Sequence, residues 1–135
     1  VFGALGITQS LIGRDEIGRI EDSYPRDKAI LSGTWRTDHW DLNLAATRYG
    51  SFTVRNSATA LRDQTYDASW VLDASASYKP SENWTLTLGA DNLLDQYPDR
   101  TVDLQNSTWG MLPYSNYSPY GFNGAYVYGR VTYKW

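Results

Sequence analysis

The sequence predicts an all-β protein of five or six antiparallel strands, connected up and down, that crosses a membrane as part of a β-barrel. Three observations carry this. From residue 28 onward apolar and polar residues alternate with a period of two, the period of a strand and not of a helix. The alternating segments are joined by short polar turns at one end and long polar loops at the other. Trp and Tyr collect on the apolar face, at the end with the short turns.

Residues 1–9, VFGALGITQ, can supply a sixth strand. Residues 10–27 read as a long loop with room for a helical turn around Leu11, Ile12, Ile17 and Ile20. The stretch KAILSGTWRT, 28–37, puts Ala29, Leu31, Gly33 and Trp35 on one face and Ser32, Thr34 and Arg36 on the other. A polar turn at Asp38 and His39 follows. In WDLNLAATRYG, 40–50, Trp40, Leu42, Leu44 and Ala46 oppose Asp41, Asn43, Ala45 and Thr47. Residues 55–67 are polar and patternless and are expected to form a loop. In 68–79, Trp70, Leu72, Ala74, Ala76 and Tyr78 oppose Ser69, Asp73, Ser75, Ser77 and Lys79. PSEN, 80–83, is a turn by composition. Trp84, Leu86, Leu88 and Ala90 then oppose Thr85, Thr87, Gly89 and Asp91. Residues 93–121 are rich in Pro, Asn, Ser and Tyr and are expected to form a second long loop. The closing strand, about 122–135, carries Ala125, Val127, Gly129, Val131, Tyr133 and Trp135 on its apolar face.

Alternation alone would equally fit a soluble β-sandwich, such as a carbohydrate-binding module with Trp residues as sugar platforms. The distribution of side chains separates the two. Trp35, Trp40, Tyr78, Trp84, Tyr133 and Trp135 all lie on the apolar face at one end, as a membrane girdle would. Above them runs a band about eight residues tall of Leu, Val and small side chains, close to the 9–11 residues a tilted strand needs to cross a bilayer. A sandwich core is instead filled with large aliphatic and Phe side chains, whereas Ala46, Ala74, Ala76 and Ala90 occupy the middle of this face.

Composition agrees. The 135 residues suffice for one modest domain, and a net charge of −3 argues against a nucleic-acid partner. The absence of cysteine removes disulfides and thiolate metal sites. Aromatics make up 15% of the chain, with six Trp and eleven Tyr against three Phe, a bias toward residues with one apolar and one wet end. No apolar run has the length of a transmembrane helix, and the chain opens at Val1 without an initiator Met, as a piece cut from a longer protein would.

Little here suggests catalysis. Asp73 and Asp91 fall on the polar faces of neighbouring strands and read as solvated lumenal charges before an acid/base pair. His39, the single histidine, sits in a turn. No catalytic residue, metal site or cofactor is expected. Ligand-binding candidates come from the loop 93–121, because loops beyond about 12–15 residues without regular structure are usually functional or disordered. It carries Tyr97, Arg100, Trp109, Met111, Tyr114 and Tyr117. The aromatics and Arg100 suit an aromatic or anionic chelate. Arg55 and Arg62, in residues 55–67, are weaker candidates.

The stretch WVLDASASYKPSENWTLTLGADNLLDQYPD, 70–99, resembles the C-terminal strand pair of TonB-dependent outer-membrane receptors, with Asn92-Leu93-Leu94-Asp95 at the place of an Asn-Leu-Phe-Asp-type motif. SPYGFNGAYVYGRVTYKW, 118–135, resembles the last strand, and residues 13–35 and 48–52 are similar to preceding segments. The resemblance implies that the strands form the closing part of a large transmembrane barrel, with the plug domain absent from this chain. It implies a transporter part that imports a scarce ligand such as a ferric siderophore across the bacterial outer membrane, and no enzyme. The implied partners are outer-membrane lipid, the remainder of the barrel and its plug, the TonB system through the missing N-terminal part, and the barrel-assembly machinery, which reads the terminal aromatic strand. Tyr133 and Trp135 fit that signal, while its usual Gly would fall at Arg130, one place from Gly129.

Overall fold

The computed structural model describes residues 12–103, 106 and 110–135. The segment 1–9, Leu11 and Trp109 lie outside them. One α-helix, α1 (Arg14–Glu21), precedes seven strands: β1 (Lys28–Arg36), β2 (Trp40–Tyr49), β3 (Phe52–Val54), β4 (Gln64–Tyr66), β5 (Ser69–Tyr78), β6 (Trp84–Asp91) and β7 (Tyr126–Tyr133).

Five of the strands form one sheet in the order β1-β2-β5-β6-β7, every pair antiparallel. The order is an up-and-down meander interrupted only by β3 and β4, which pair with each other. Register follows the alternation, because a slip of one residue would exchange the two faces. Trp35, Leu42, Ala76, Leu88 and Gly129 stand in one cross-strand row on the apolar face. The neighbouring row on the polar face is Arg36, Asp41, Ser77, Thr87 and Arg130.

The apolar face is open. Leu31 is 73% exposed, Leu88 63% and Val131 65%. In a soluble sandwich these side chains would lie beneath a second sheet. Here the second sheet has strands of three residues and covers its own small cluster, Phe52, Val54 and Tyr66. The soluble reading fails on this point, because an apolar sheet face left in water forfeits the burial that drives folding. Among the described residues no helix is long and apolar enough to cross a membrane, so any crossing belongs to the strands.

At the end with the short turns, Trp40 and Tyr78 meet with ring centroids 4.7 Å apart, and Trp84 and Tyr133 at 4.9 Å. Trp35 lies one residue before the end of β1, and Trp135 two residues past β7. Asn83 prolongs the β6–β7 ladder, accepting from the Lys134 N–H at 2.8 Å and donating to the Lys134 carbonyl at 2.7 Å.

Two segments depart from the expected loops. Residues 10–27 contain a true helix of eight residues, α1. Residues 55–67 contain the 3-10 turn Ala60–Arg62 and the strand β4. The last strand begins at Tyr126 and not near 122, because Gly121 and Gly124 take φ of +75° and +73°, which breaks extended backbone.

Candidate functional site

The end of the sheet opposite the short turns carries a lobe built from α1, β3, β4 and the described residues between 92 and 125. Its construction begins at the helix. Glu16 accepts from the Gly13 N–H at 2.9 Å, half of a capping box. Gly18 is buried against the stem of Arg55, where a Cβ would overlap that side chain. The carbonyl of Asp22 then accepts from the Thr53 N–H at 2.8 Å, which joins helix to strand. Arg55 closes the same seam through ion pairs to Asp22 and, at 3.1 Å, Glu21.

Beneath the helix Phe52 stacks on Tyr66, centroids 4.7 Å apart and planes 6° from parallel. Tyr66 is 1% exposed, and burial pushes its phenol above its ordinary pKa. A buried hydroxyl needs a partner, and the Tyr66 hydroxyl meets that of Thr101 at 3.0 Å.

The polar centre of the lobe is Arg14. Its Nη1 donates to the carbonyl of Asn56 at 2.8 Å and to Asp63 Oδ1 at 2.6 Å, and Nη2 pairs with Asp63 Oδ2. The two-pronged contact matches guanidinium to carboxylate geometry. The hydrogen bond from Arg14, the Asn56 N–H and the nearby cations hold the Asp63 carboxyl below the usual carboxylate range. Asn56 itself is buried: it donates to Asn106 Oδ1 at 2.7 Å and accepts the N–H of Ala58 and Thr59.

The β6–β7 connection is tied onto this framework. Gln64 Nε2 donates to the Arg100 carbonyl at 2.7 Å, and Gln64 Oε1 accepts from the Val102 N–H at 2.9 Å. Arg100 and Tyr114 form an isolated antiparallel bridge, and the Thr101 N–H donates to the Pro113 carbonyl at 2.8 Å. The Asn-Leu-Leu-Asp stretch is the hinge where the connection leaves β6. Asn92 and Asp95 take positive φ of 53° and 54°, the left-handed region in which Asn and Asp are tolerated. The Asn92 amide clamps both backbone groups of Gln96 at 2.8 and 2.9 Å. Asp95 accepts from the Ala125 N–H at 2.8 Å, so the motif joins the two ends of the loop. Asp73 accepts from the Asn92 N–H at 2.9 Å, which gives this carboxylate a structural partner at the top of the sheet.

Of the ligand candidates read from sequence, Tyr97, Arg100 and Tyr114 come together. The rings of Tyr97 and Tyr114 stack at 5.4 Å, and Tyr114 continues onto Phe122 at 6.3 Å. The Asp95 carboxylate pushes the Tyr97 phenol above its ordinary value. Tyr117 stands apart, packed on the Phe52 cluster with the Arg19 guanidinium 5.9 Å from its ring centroid. Trp109 is outside the described residues. Phe122, in the same loop as its partner Tyr114, and the Tyr49–Tyr120 pair, at 5.5 Å, were not singled out by sequence; Tyr49 and Tyr120 lie far apart in the chain, so no local pattern marks their contact. Among the described residues no three His, Asp or Glu side chains could hold a metal ion.

The architecture matches known proteins. A family model described as TonB dependent receptor-like, beta-barrel matches residues 9–93, more than half of the chain. Among solved structures, a mutant of the ferric enterobactin receptor from Pseudomonas aeruginosa is similar in fold, with a TM-score of 0.63 and 21% identity, covering 83% of this chain. The chain spans 16% of that receptor's length. A search of curated proteins found none that matches. The family model, the meander and the open apolar face lead to one conclusion: this chain belongs to the TonB-dependent receptor β-barrel family, whose members are outer-membrane receptors and not enzymes.

Proposed function

We propose that the chain is the C-terminal wall of an outer-membrane transporter that imports a ferric siderophore, with a plug supplied by the rest of the polypeptide and energy by the TonB system. The lobe is the part that meets the ligand, through Tyr97, Arg100, Trp109, Tyr114 and Tyr117. The observation that supports this is the ring ladder Tyr97–Tyr114–Phe122 at the end of the sheet where outer-membrane barrels carry their long extracellular loops. The solved relative is a ferric enterobactin receptor by name, which favours an iron chelate among scarce ligands. The aromatic belt at the other end, Trp35, Trp40, Tyr78, Trp84, Tyr133 and Trp135, anchors the wall at the periplasmic interface. Tyr133 and Trp135 also serve as the aromatic positions read by the barrel-assembly machinery.

The test follows from the geometry. The Thr101 N–H donates to the Pro113 carbonyl across the loop, so residues 102–112 can be replaced by a short Gly-Ser link that keeps this pair together, at the loss of the Val102–Gln64 and Asn106–Asn56 hydrogen bonds. In the full-length receptor this deletion should weaken binding of radio-iron-labelled catecholate or hydroxamate chelates at least tenfold and leave the barrel inserted. Unchanged affinity for every chelate that the intact receptor binds would reduce the loop to packing.

A further inference from the structure

The amide carbon of an asparagine is an electrophile within reach of a nucleophile, the backbone nitrogen of the residue that follows. Attack needs two freedoms. The side chain must be able to turn onto the main chain, and the following N–H must not be spent on another partner. The fold removes one or both almost everywhere. Asn43 lies inside β2, where it accepts from Thr34 and donates to Ser75. Asn56 and Asn106 are buried and bonded to each other through their amides. Asn83 donates to the Lys134 carbonyl, and the Trp84 N–H after it donates to the Ser81 carbonyl at 3.3 Å. The Asn92 amide clamps Gln96, and the Leu93 N–H donates to the Leu72 carbonyl at 2.7 Å. After Asn116, the Tyr117 N–H donates to Ser115 Oγ at 3.2 Å.

Asn123 has neither restraint. It is exposed, and among the described residues neither its side chain nor the Gly124 N–H takes part in a hydrogen bond. Its successor is glycine for a structural reason. Gly124 takes a φ of +73°, and a Cβ there would overlap the Asp95 carboxylate and the Tyr97 ring. The turn that leads into β7 therefore excludes a side chain at 124. That requirement sets the least hindered kind of backbone nitrogen directly after the unrestrained asparagine.

We propose that Asn123-Gly124 is a site of spontaneous covalent modification, at which water converts Asn123 to aspartate and isoaspartate and thereby loosens the closure of the loop. The Gly124 nitrogen attacks Asn123 Cγ. The N–Cγ bond forms, the Cγ–Nδ2 bond breaks, and the side-chain nitrogen leaves as ammonia with the proton from Gly124. Nucleophile and electrophile sit in one dipeptide, so the step is unimolecular. Water then opens the cyclic imide. Opening at Cγ gives aspartate, and opening at the main-chain carbonyl gives isoaspartate, in which the chain runs through Cβ and Cγ. In sum, an amide and water become a carboxylate and ammonium. Either product puts a new negative charge two residues from the Ala125 N–H that Asp95 accepts at 2.8 Å. Isoaspartate also lengthens the main chain by one carbon where Gly124 is packed on Tyr97 and Asp95. The contact of Phe122 with Tyr114, next in the chain, shares the disturbance.

The experiment uses the full-length receptor, folded in detergent and held for days in mildly alkaline buffer made with heavy-oxygen water. Peptide mapping by mass spectrometry should show Asn123 converting at least tenfold faster than any other asparagine described above, with heavy oxygen in the new carboxylate and both isomers among the products. Asn123→Gln, whose longer side chain closes the ring poorly, should stay unconverted. Protease cleavage of the lobe should rise severalfold in the aged receptor and not in aged Asn123→Gln. Asn123 left intact in the folded receptor, over a time in which urea-unfolded receptor converts, would overturn the proposal, because the turn would then withhold the attack. Conversion of Asn83 or Asn116 as fast as Asn123 would do the same. Equal cleavage of fresh and fully converted receptor would sink the effect on loop closure. The mapping is read on the unmodified receptor, so it stands even where Asn123→Gln fails to assemble.

Discussion

Replacing Leu44 by Arg tests the assignment of faces most directly. Leu44 is the fifth residue of β2, on the apolar face between Gly33 and Ala74. It lies four residues from Trp40, about 13 Å along the strand at ~3.3 Å per residue. With a strand tilt of about 45°, that is about 9 Å above the aromatic belt. The apolar band of an outer-membrane barrel is about 25 Å tall, so Leu44 sits within a few ångströms of the midplane. Arg at that depth costs about 2–4 kcal/mol, about a 30- to 700-fold shift in the folded-to-unfolded ratio at ~1.4 kcal/mol per tenfold. Asn43→Arg, one residue away, places the same charge in the aqueous lumen. It loses the 2.9 Å bond from Thr34 and the weak 3.4 Å contact to Ser75, together about 1 kcal/mol. The assay is urea titration of the full-length receptor in thin-bilayer vesicles, with folded protein read as heat-modifiable mobility on gels. An Asn43→Arg variant as costly as Leu44→Arg, or costlier, would refute the assignment of lipid and lumen faces.

Other consequences can be measured on the same receptor. Spin labels at Leu42, Leu72, Leu86 and Val131 should report lipid, and labels at Asn43, Asp73, Thr87 and Thr132 water; a common environment for both sets would contradict the barrel. Trp84 and Tyr133 should couple by about 0.5–1.5 kcal/mol in a double-mutant cycle, whereas Trp35 and Tyr133, on opposite edges of the sheet, should show no coupling. Gly124→Ala meets both a positive φ of 73° and overlap with Tyr97 and Asp95, whereas Gly121→Ala meets the φ alone. Gly124→Ala should therefore increase protease cleavage of the lobe more than Gly121→Ala, whose cost is about 1–2 kcal/mol. Arg14 keeps Asp63 ionised below the usual carboxylate range, so the pair's stabilisation is complete above about pH 4 and is lost as pH falls through the lowered native value. Arg14→Ala should move acid-induced protease sensitivity of the lobe to higher pH; an unchanged midpoint would separate Asp63 from lobe stability.

The sequence by itself determined the sheet. Period-two alternation is a local property, each residue's face being set by its immediate neighbours, so 28–37, 40–50, 68–79 and 84–92 were legible to within a residue or two of the observed strands. Parity also placed the six aromatics at one end, because the turns at Asp38 and Pro80 fix which strand ends lie together. Only the tertiary structure decided the lobe. Strands β3 and β4 have three residues each, too short for alternation to register, and they form because Phe52 stacks on Tyr66 across residues 55–63. Arg14 meets Asp63 over a separation of 49 residues, and Asn56 meets Asn106 over 50. Partners that far apart leave no spacing to read. The same holds for the candidate site: sequence could name Tyr97 and Tyr114 as aromatic loop residues, but their stacking depends on the left-handed turns at Asn92 and Asp95 and on the Gln64 side chain that ties Arg100 and Val102 down from another strand.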